Sequence, residues 1–241
     1  MNETCAQKLG LIAYKVPEVF ASGKNKGIEE GQTQGFSLGR HQQYIDFWNS
    51  FTENWTRTTY RYSMGGDGWN ANTFNPPQTL KPTNAQYMFY AAAITKVTKN
   101  QLDLSNNTNS TGVFYACTDA VEIDEIDTRK STSLNYLLYS CSALVTAKLI
   151  LSENNTFGSE NTFYRCSALK DLTIEGTIAK NGFNIQWSTE LTHDSLISIL
   201  NALEDKTGAS GTWEITFGDA NIAKLTDAEQ EIPQQKGWVL S

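Results

Sequence analysis

Part of this chain repeats itself at a fixed interval, and that limits the folds open to it more than any other feature. Four segments align: MFYAAAITKV from Met88, VFYACTDAVEI from Val113, LLYSCSALVTA from Leu137 and TFYRCSALKDL from Thr162. Their anchors, Phe89, Phe114, Leu138 and Phe163, are spaced by 25, 24 and 25 residues. Tyr follows every anchor, and in the last three units a Cys stands three residues after it. A unit of this length cannot cover its own apolar face. It must stack on its neighbours and share that face with them.

Each unit reads as a short strand after the Cys position: AVEIDEI, ALVTAKLIL and ALKDLTI. Side chains alternate along a strand, so Leu169, Leu172 and Ile174 point inward while Asp171, Thr173 and Glu175 point outward. Leu144, Ala147 and Leu149 take the matching inward places one unit earlier. The register of Ala120 to Ile126 is looser and has room for a bulge. The four anchors form an internal ladder on the opposite side. A period in the twenties, with an aromatic, a Cys and then an apolar strand, marks a leucine-rich-repeat solenoid. Cys117, Cys141 and Cys166 fall one per rung with no His at the same repeat position, so they read as small buried hydrophobes, reduced and metal-free. Four Cys of this kind, counting Cys5, suit a reducing compartment.

A stack of repeats needs a closed end. LTHDSLISILNAL carries Leu196, Ile199, Leu200 and Leu203 at helical spacing, with Thr192 as its N-cap. After the break at Gly208 to Gly211, TWEITF reads as a strand. A short helix starts near Thr226 with Asp227 and Glu229 in its first turn, and Trp238 packs back. The spacing thus predicts a mixed C-terminal cap.

The first 84 residues follow other rules. Gly23, Gly27, Gly31, Gly35 and Gly39 recur every fourth residue. In a helix these five cost about 4–5 kcal/mol against alanine. Close packing of another helix along the bare row offsets that cost, and the nearest available partner is the same helix of a second copy. A Gly-rich linker is the other reading of the row. Tyr44, Phe47, Trp48 and Phe51 mark an amphipathic helix, Thr56 to Met64 a strand, GGDGWN a turn and NPPQTLKP an extended connector.

Charge and composition exclude several classes. The formal net charge of −7 repels nucleic-acid backbones and anionic membranes. No apolar run approaches the ~20 residues of a membrane span, and MNETCAQKLG lacks the basic start of a signal peptide. No phosphate loop is present. The two histidines, His41 and His193, are far apart, and His193-Asp194-Ser195 reads as a helix start, since triad members come from separate segments. Glu122, Asp124, Glu125 and Asp127 cluster as glycosidase carboxylates do, but as neighbours on an outward strand they read as a solvated acidic face. The Asn-X-Ser/Thr sequences at Asn2, Asn54, Asn106, Asn109 and Asn154 matter only in a eukaryotic secretory pathway.

With FYACTDA, LYSCSAL and FYRCSAL in view, residues 86–180 resemble the BspA-type leucine-rich repeats of bacterial surface proteins. Across nearly its full length the chain resembles a family encoded in prophages of gut Firmicutes, through Gly23 to Gly39, the Tyr44-Phe47-Trp48 segment, TTYRYSMGGDGWNANTFNP, the repeats and ANIAKLTDAEQEIPQQKGWVLS. Two places depart from the repeat pattern: Ala92 or Ala93 stands in place of the first Cys, and Asp119-Ala120 in place of Ala-Leu. The resemblance implies an α+β protein in two parts. Residues 1–84 form a helical and hairpin segment for assembly or virion attachment, and residues 85–241 a repeat domain with its cap. It implies a non-enzymatic phage tail or surface component, made in the bacterial cytoplasm and carried on the virion, with no cofactor. The expected partners are other virion proteins, a second copy through the glycine helix, and a host-surface glycan or protein. The candidate binding surface is Glu122, Asp124, Lys148, Asp171, Thr173 and Glu175. A secreted repeat adhesin and, more remotely, a glycan-degrading enzyme are the alternatives.

Overall fold

The period seen in the sequence reappears in space. In the computed structural model, which describes residues 70–71, 74, 76, 79–158 and 161–241, the chain returns beside itself in the same direction at each repeat. β1 (Asn70–Ala71) pairs in parallel with β2 (Ala93–Ile94). Then β3 (Lys96–Val97), β4 (Glu122–Asp127), β5 (Thr146–Ile150) and β6 (Asp171–Glu175) form one parallel sheet in that order. The described chain is mixed α and β, with this four-stranded parallel sheet at its centre and little helix.

Alternation holds along β6, where Asp171, Thr173 and Glu175 are exposed and Leu172 and Ile174 are buried. It breaks in β4. Ile123 faces Ala147 but Ile126 faces Leu149, so β4 uses three residues where β5 uses two. Asp124 and Glu125 therefore share the place opposite Lys148, the bulge for which the sequence left room.

Phe89, Phe114, Leu138 and Phe163 are all fully buried. The rings of Phe89 and Phe114 stack at 5.3 Å, and Phe74 meets Phe89 edge-on at 5.0 Å. Their segment is a second hydrogen-bonded seam. The Phe89, Phe114 and Leu138 amides donate to the carbonyls of Val113, Leu137 and Thr162 one unit on, at 2.8, 3.0 and 3.0 Å. Two residues later Ala91, Ala116 and Ser140 donate to Tyr115, Tyr139 and Tyr164 at 2.7 Å each. That alternation requires left-handed backbone at Ala91, Ala116, Ser140 and Arg165, with φ of 51°, 57°, 59° and 60°. A non-glycine residue adopts such angles at a cost, which the unit-to-unit bonds offset. The thiols complete the seam: Cys117, Cys141 and Cys166 donate to the carbonyls of Phe89, Phe114 and Leu138 at 3.1, 3.0 and 3.0 Å. Burial holds the Cys141 and Cys166 thiols well above the ordinary thiol range, so they stay neutral at physiological pH.

Asn107, Ser131 and Asn155 occupy equivalent places 24 residues apart and are buried. They form a polar ladder. The Asn107 Oδ1 accepts from the Ala85 amide at 2.8 Å, and the Asn155 Nδ2 donates to the Thr128 and Ser131 carbonyls at 2.9 and 2.6 Å. Buried turn carbonyls need such partners.

The C-terminal region closes β6 without a strand. Helix α1 (His193–Ala202) begins at Thr192, whose hydroxyl accepts from the Ser195 amide as an N-cap. The hydroxyls of Ser195 and Ser198, three residues apart on α1, accept from the amides of Leu172 and Ile174 at 2.9 Å each. The free edge of β6 is thus met by side chains, which end the sheet. Parallel pairing then resumes. Ile178 bridges to Leu203, and β7 (Trp213–Ile215) pairs with β8 (Trp238–Leu240), again 25 residues apart. Between them lie α2 (Asp219–Ile222), α3 (Asp227–Gln230) and α4 (Ile232–Gln235). Thr226 and Glu229 form a capping box at α3. Lys236 donates to the carbonyls of Leu200, Asn201 and Leu203 at 3.0, 3.1 and 3.0 Å, satisfying the end of α1. Trp238 is buried and its indole donates to the Glu204 carbonyl at 2.8 Å.

One sequence reading changes. Asn70, read as the end of a turn, and Ala71, just beyond it, both lie in β1, because β2 supplies a partner strand that local sequence cannot announce. The glycine row Gly23, Gly27, Gly31, Gly35 and Gly39, the Tyr44-Phe47-Trp48 helix and the strand from Thr56 lie outside the described residues.

Candidate functional site

The outward face of β3 to β6 brings the six expected surface residues onto one sheet. Glu122, Thr146 and Asp171 stand abreast, and Lys148 stands beside Thr173. The face is held by ion pairs between rungs. Lys96 meets Glu122 at 2.7 Å, and Lys148 meets Glu175 at 2.7 Å and Glu125 at 3.4 Å. The hydrogen bond to Glu175 raises the Lys148 pKa above the ordinary lysine value, and that to Glu122 does the same for Lys96. Asp124 and Asp171 are exposed and form no ion pair among the described residues. With five carboxylates (Glu122, Asp124, Glu125, Asp171 and Glu175) against two lysines, the face is acidic.

Asp127 departs from the expected outward cluster. It ends β4 in register with Ile150 and Glu175, yet it is only 6% exposed. It accepts from the Arg129 guanidinium, at 3.0 Å from Nε and 2.6 Å from Nη2, and from the Arg129 amide at 3.1 Å. Burial pushes its carboxyl up, but the Arg129 hydrogen bonds and charge outweigh this and hold it below the usual range. Just beyond the strand ends lies an open cleft of about 420 Å³, lined by Lys81, Lys99, Asp103, Glu125, Asp127 and Arg129 among others. Lys81 pairs with Asp103 at 3.1 Å. The cleft balances three cations against three carboxylates and so has no preference for either sign.

The tyrosine after each anchor builds a different surface. Tyr90, Tyr115, Tyr139 and Tyr164 stack ring on ring, with centroids 5.0, 4.7 and 4.9 Å apart and planes within 11°, 6° and 22°. Tyr136 flanks the row edge-on to Tyr115 and Tyr139, at 5.9 and 5.5 Å. Tyr87 lies over Gly112, where an added Cβ would fall 2.3 Å from its ring. Glycine is required there for space, and it takes the φ of +59° without the cost a side chain would add. Trp187 ends the row, 5.3 Å from Tyr164 and turned 70° to it, and is 46% exposed. Arg165 lies 5.3 Å from the Tyr164 ring centre. The sequence shows a Tyr after every anchor, but that these tyrosines stack into one exposed row is visible only in the fold.

Among the described residues no group of three or more His, Cys, Asp or Glu is placed to hold a metal ion, and no helix is long and apolar enough to cross a membrane. No family model, curated protein or solved structure matches this chain.

Proposed function

We propose that the repeat region is a leucine-rich-repeat solenoid and that the protein is a non-enzymatic component of a phage tail or virion surface, whose outward sheet face docks on a host-surface glycan or protein. The observation that carries this reading is the continuous polar face of β3 to β6, where Glu122, Asp124, Lys148, Asp171, Thr173 and Glu175 recur rung by rung. Its rigid, regularly spaced side chains suit an extended contact. The resemblance of the repeats, the glycine row and the C-terminal tract to prophage-encoded proteins supports the virion setting. The row Gly23 to Gly39 is the proposed assembly element, joining copies of the chain and other virion proteins. The acidic face favours a basic or sugar-bearing partner over nucleic acid or an anionic membrane.

Mass spectrometry of purified particles tests the setting. The protein is expected among the virion proteins, and particles that lack it contradict the proposal. Sedimentation of the full chain is expected to show self-association that Gly31→Leu weakens. A monomer at high micromolar concentration contradicts the assembly role.

A further inference from the structure

The tyrosine row is a second exposed surface, chemically unlike the sheet face. The side chains of Tyr115, Tyr136, Tyr139 and Tyr164 are part-exposed, and their hydroxyls have no hydrogen-bond partner among the described residues. Segments 111–120, 135–144 and 161–169, which carry the row, contain only two charged residues, Asp119 and Arg165. The surface therefore offers ring edges, phenol hydroxyls and the mutually bonded hydroxyls of Thr111 and Ser133, with almost no charge.

We propose that the row Tyr115, Tyr139, Tyr164, closed by Trp187, binds an uncharged, unbranched polysaccharide lying along the stack, with one sugar ring to each rung.

Three observations select this occupant. The first is charge. A neutral surface on a chain of net charge −7 gives a polyanion no complement and repels it at long range. A polycation is better served by the acidic sheet face. The second is spacing. The rings repeat every 4.7–4.9 Å from Tyr115 to Tyr164. A polypeptide strand advances ~3.3 Å per residue and a helix ~1.5 Å, so neither sets one residue on each rung. An extended chain of pyranose rings advances by close to one rung per sugar, and presents hydroxyls to each phenol in turn. The third is Trp187. The stacked tyrosines cover one another's faces, whereas the indole is turned 70° to Tyr164 and 46% exposed. It supplies an aromatic body for a sugar's C–H face and a polar N–H at its tip. The inference uses a face separate from the charged sheet and does not depend on a virion location.

The test uses the full-length protein and calorimetric titration with neutral hexasaccharides of β-1,4-linked glucose, mannose and N-acetylglucosamine. Polygalacturonate and polylysine serve as charged arms. At least one neutral hexasaccharide is expected to bind, and more tightly than its disaccharide. Trp187→Ala is expected to weaken it about tenfold, the worth of one good aromatic contact. Tyr139→Phe keeps the stacked ring and removes one hydroxyl. It is expected to weaken binding while leaving the thermal melt unchanged, and Lys148→Glu on the sheet face is expected to leave sugar affinity unchanged. The proposal is overturned if no neutral hexasaccharide binds at millimolar concentration, if only a charged polymer binds, or if Trp187→Ala and Tyr139→Phe both bind as wild type does. A protein present in particles that ignores these sugars loses this inference and keeps the virion proposal.

Discussion

The two outward surfaces of the repeat region grow from the same rungs but are held by different forces. The sheet face is charged, and Lys96 and Lys148 each tie one rung to another through a carboxylate. The tyrosine face is nearly uncharged and is tied by stacking from Tyr90 to Tyr164. Exposed ion pairs are worth ~0–1 kcal/mol each and are screened by salt. Aromatic pairs are worth ~0.5–1.5 kcal/mol beyond their buried area, and salt does not screen them. The lesson is that a repeat carries two independent ladders, one tuned by ionic strength and acid and the other indifferent to both.

The largest effect comes from the core beneath both faces. Phe114 is fully buried and stacks on Phe89, so Phe114→Ala is expected to destabilise by about 3–5 kcal/mol. A melt within a degree or two of wild type would remove the common core from which the two faces diverge. Next is Tyr139, stacked on both Tyr115 and Tyr164. Tyr139→Ala is expected to cost about 1–3 kcal/mol from two pairs, equally at low and high salt. A loss that vanishes in 1 M salt would place electrostatics on the wrong face.

The sheet side responds to acid. The pKa of Asp127 is held below its ordinary value of 3.8, so its ionised form is favoured by folding. Its stabilisation is complete above the unfolded value of about 4 and is lost as pH falls through the depressed folded value. Asp127→Asn is expected to cost about 1 kcal/mol at neutral pH and to match wild type in strong acid. Urea melts across that range check it, and a gap that widens on acidification contradicts the sign. The smallest effect is at Lys148, whose side chain is about one-third exposed. Lys148→Met is expected to cost at most ~1 kcal/mol, and less as salt rises, as denaturant melts at two ionic strengths will show.

The legible parts of this molecule were those decided by one unit and its copy. The anchors Phe89, Phe114, Leu138 and Phe163 and the alternation of Asp171 to Glu175 could be read because the same pattern recurs. Thr192, Thr226 and Trp238 could be read because capping and a lone buried Trp are local signals. What escaped depends on the partner. β1 exists because β2 lies beside it. Glu125, rather than Asp124, reaches Lys148 because the bulge in β4 shifts their parity. Ser195 and Ser198 look like ordinary helix polars until the edge of β6 stands against them. The tyrosines were visible as letters, but their stacking follows from the second hydrogen-bonded seam, which lies in no regular strand.

The central claim is that the residue after each anchor forms one continuous aromatic ladder on an uncharged face. Nuclear Overhauser effects between ring protons test it most directly, in the full chain carrying labelled tyrosine, with Tyr115→Phe, Tyr139→Phe and Tyr164→Phe used for assignment. Ring-to-ring cross-peaks are expected from Tyr115 to Tyr139 and from Tyr139 to Tyr164, at centroid distances of 4.7 and 4.9 Å, with none from Tyr115 to Tyr164. The absence of the Tyr115 to Tyr139 cross-peak in a folded sample would contradict the ladder and the division between the two faces.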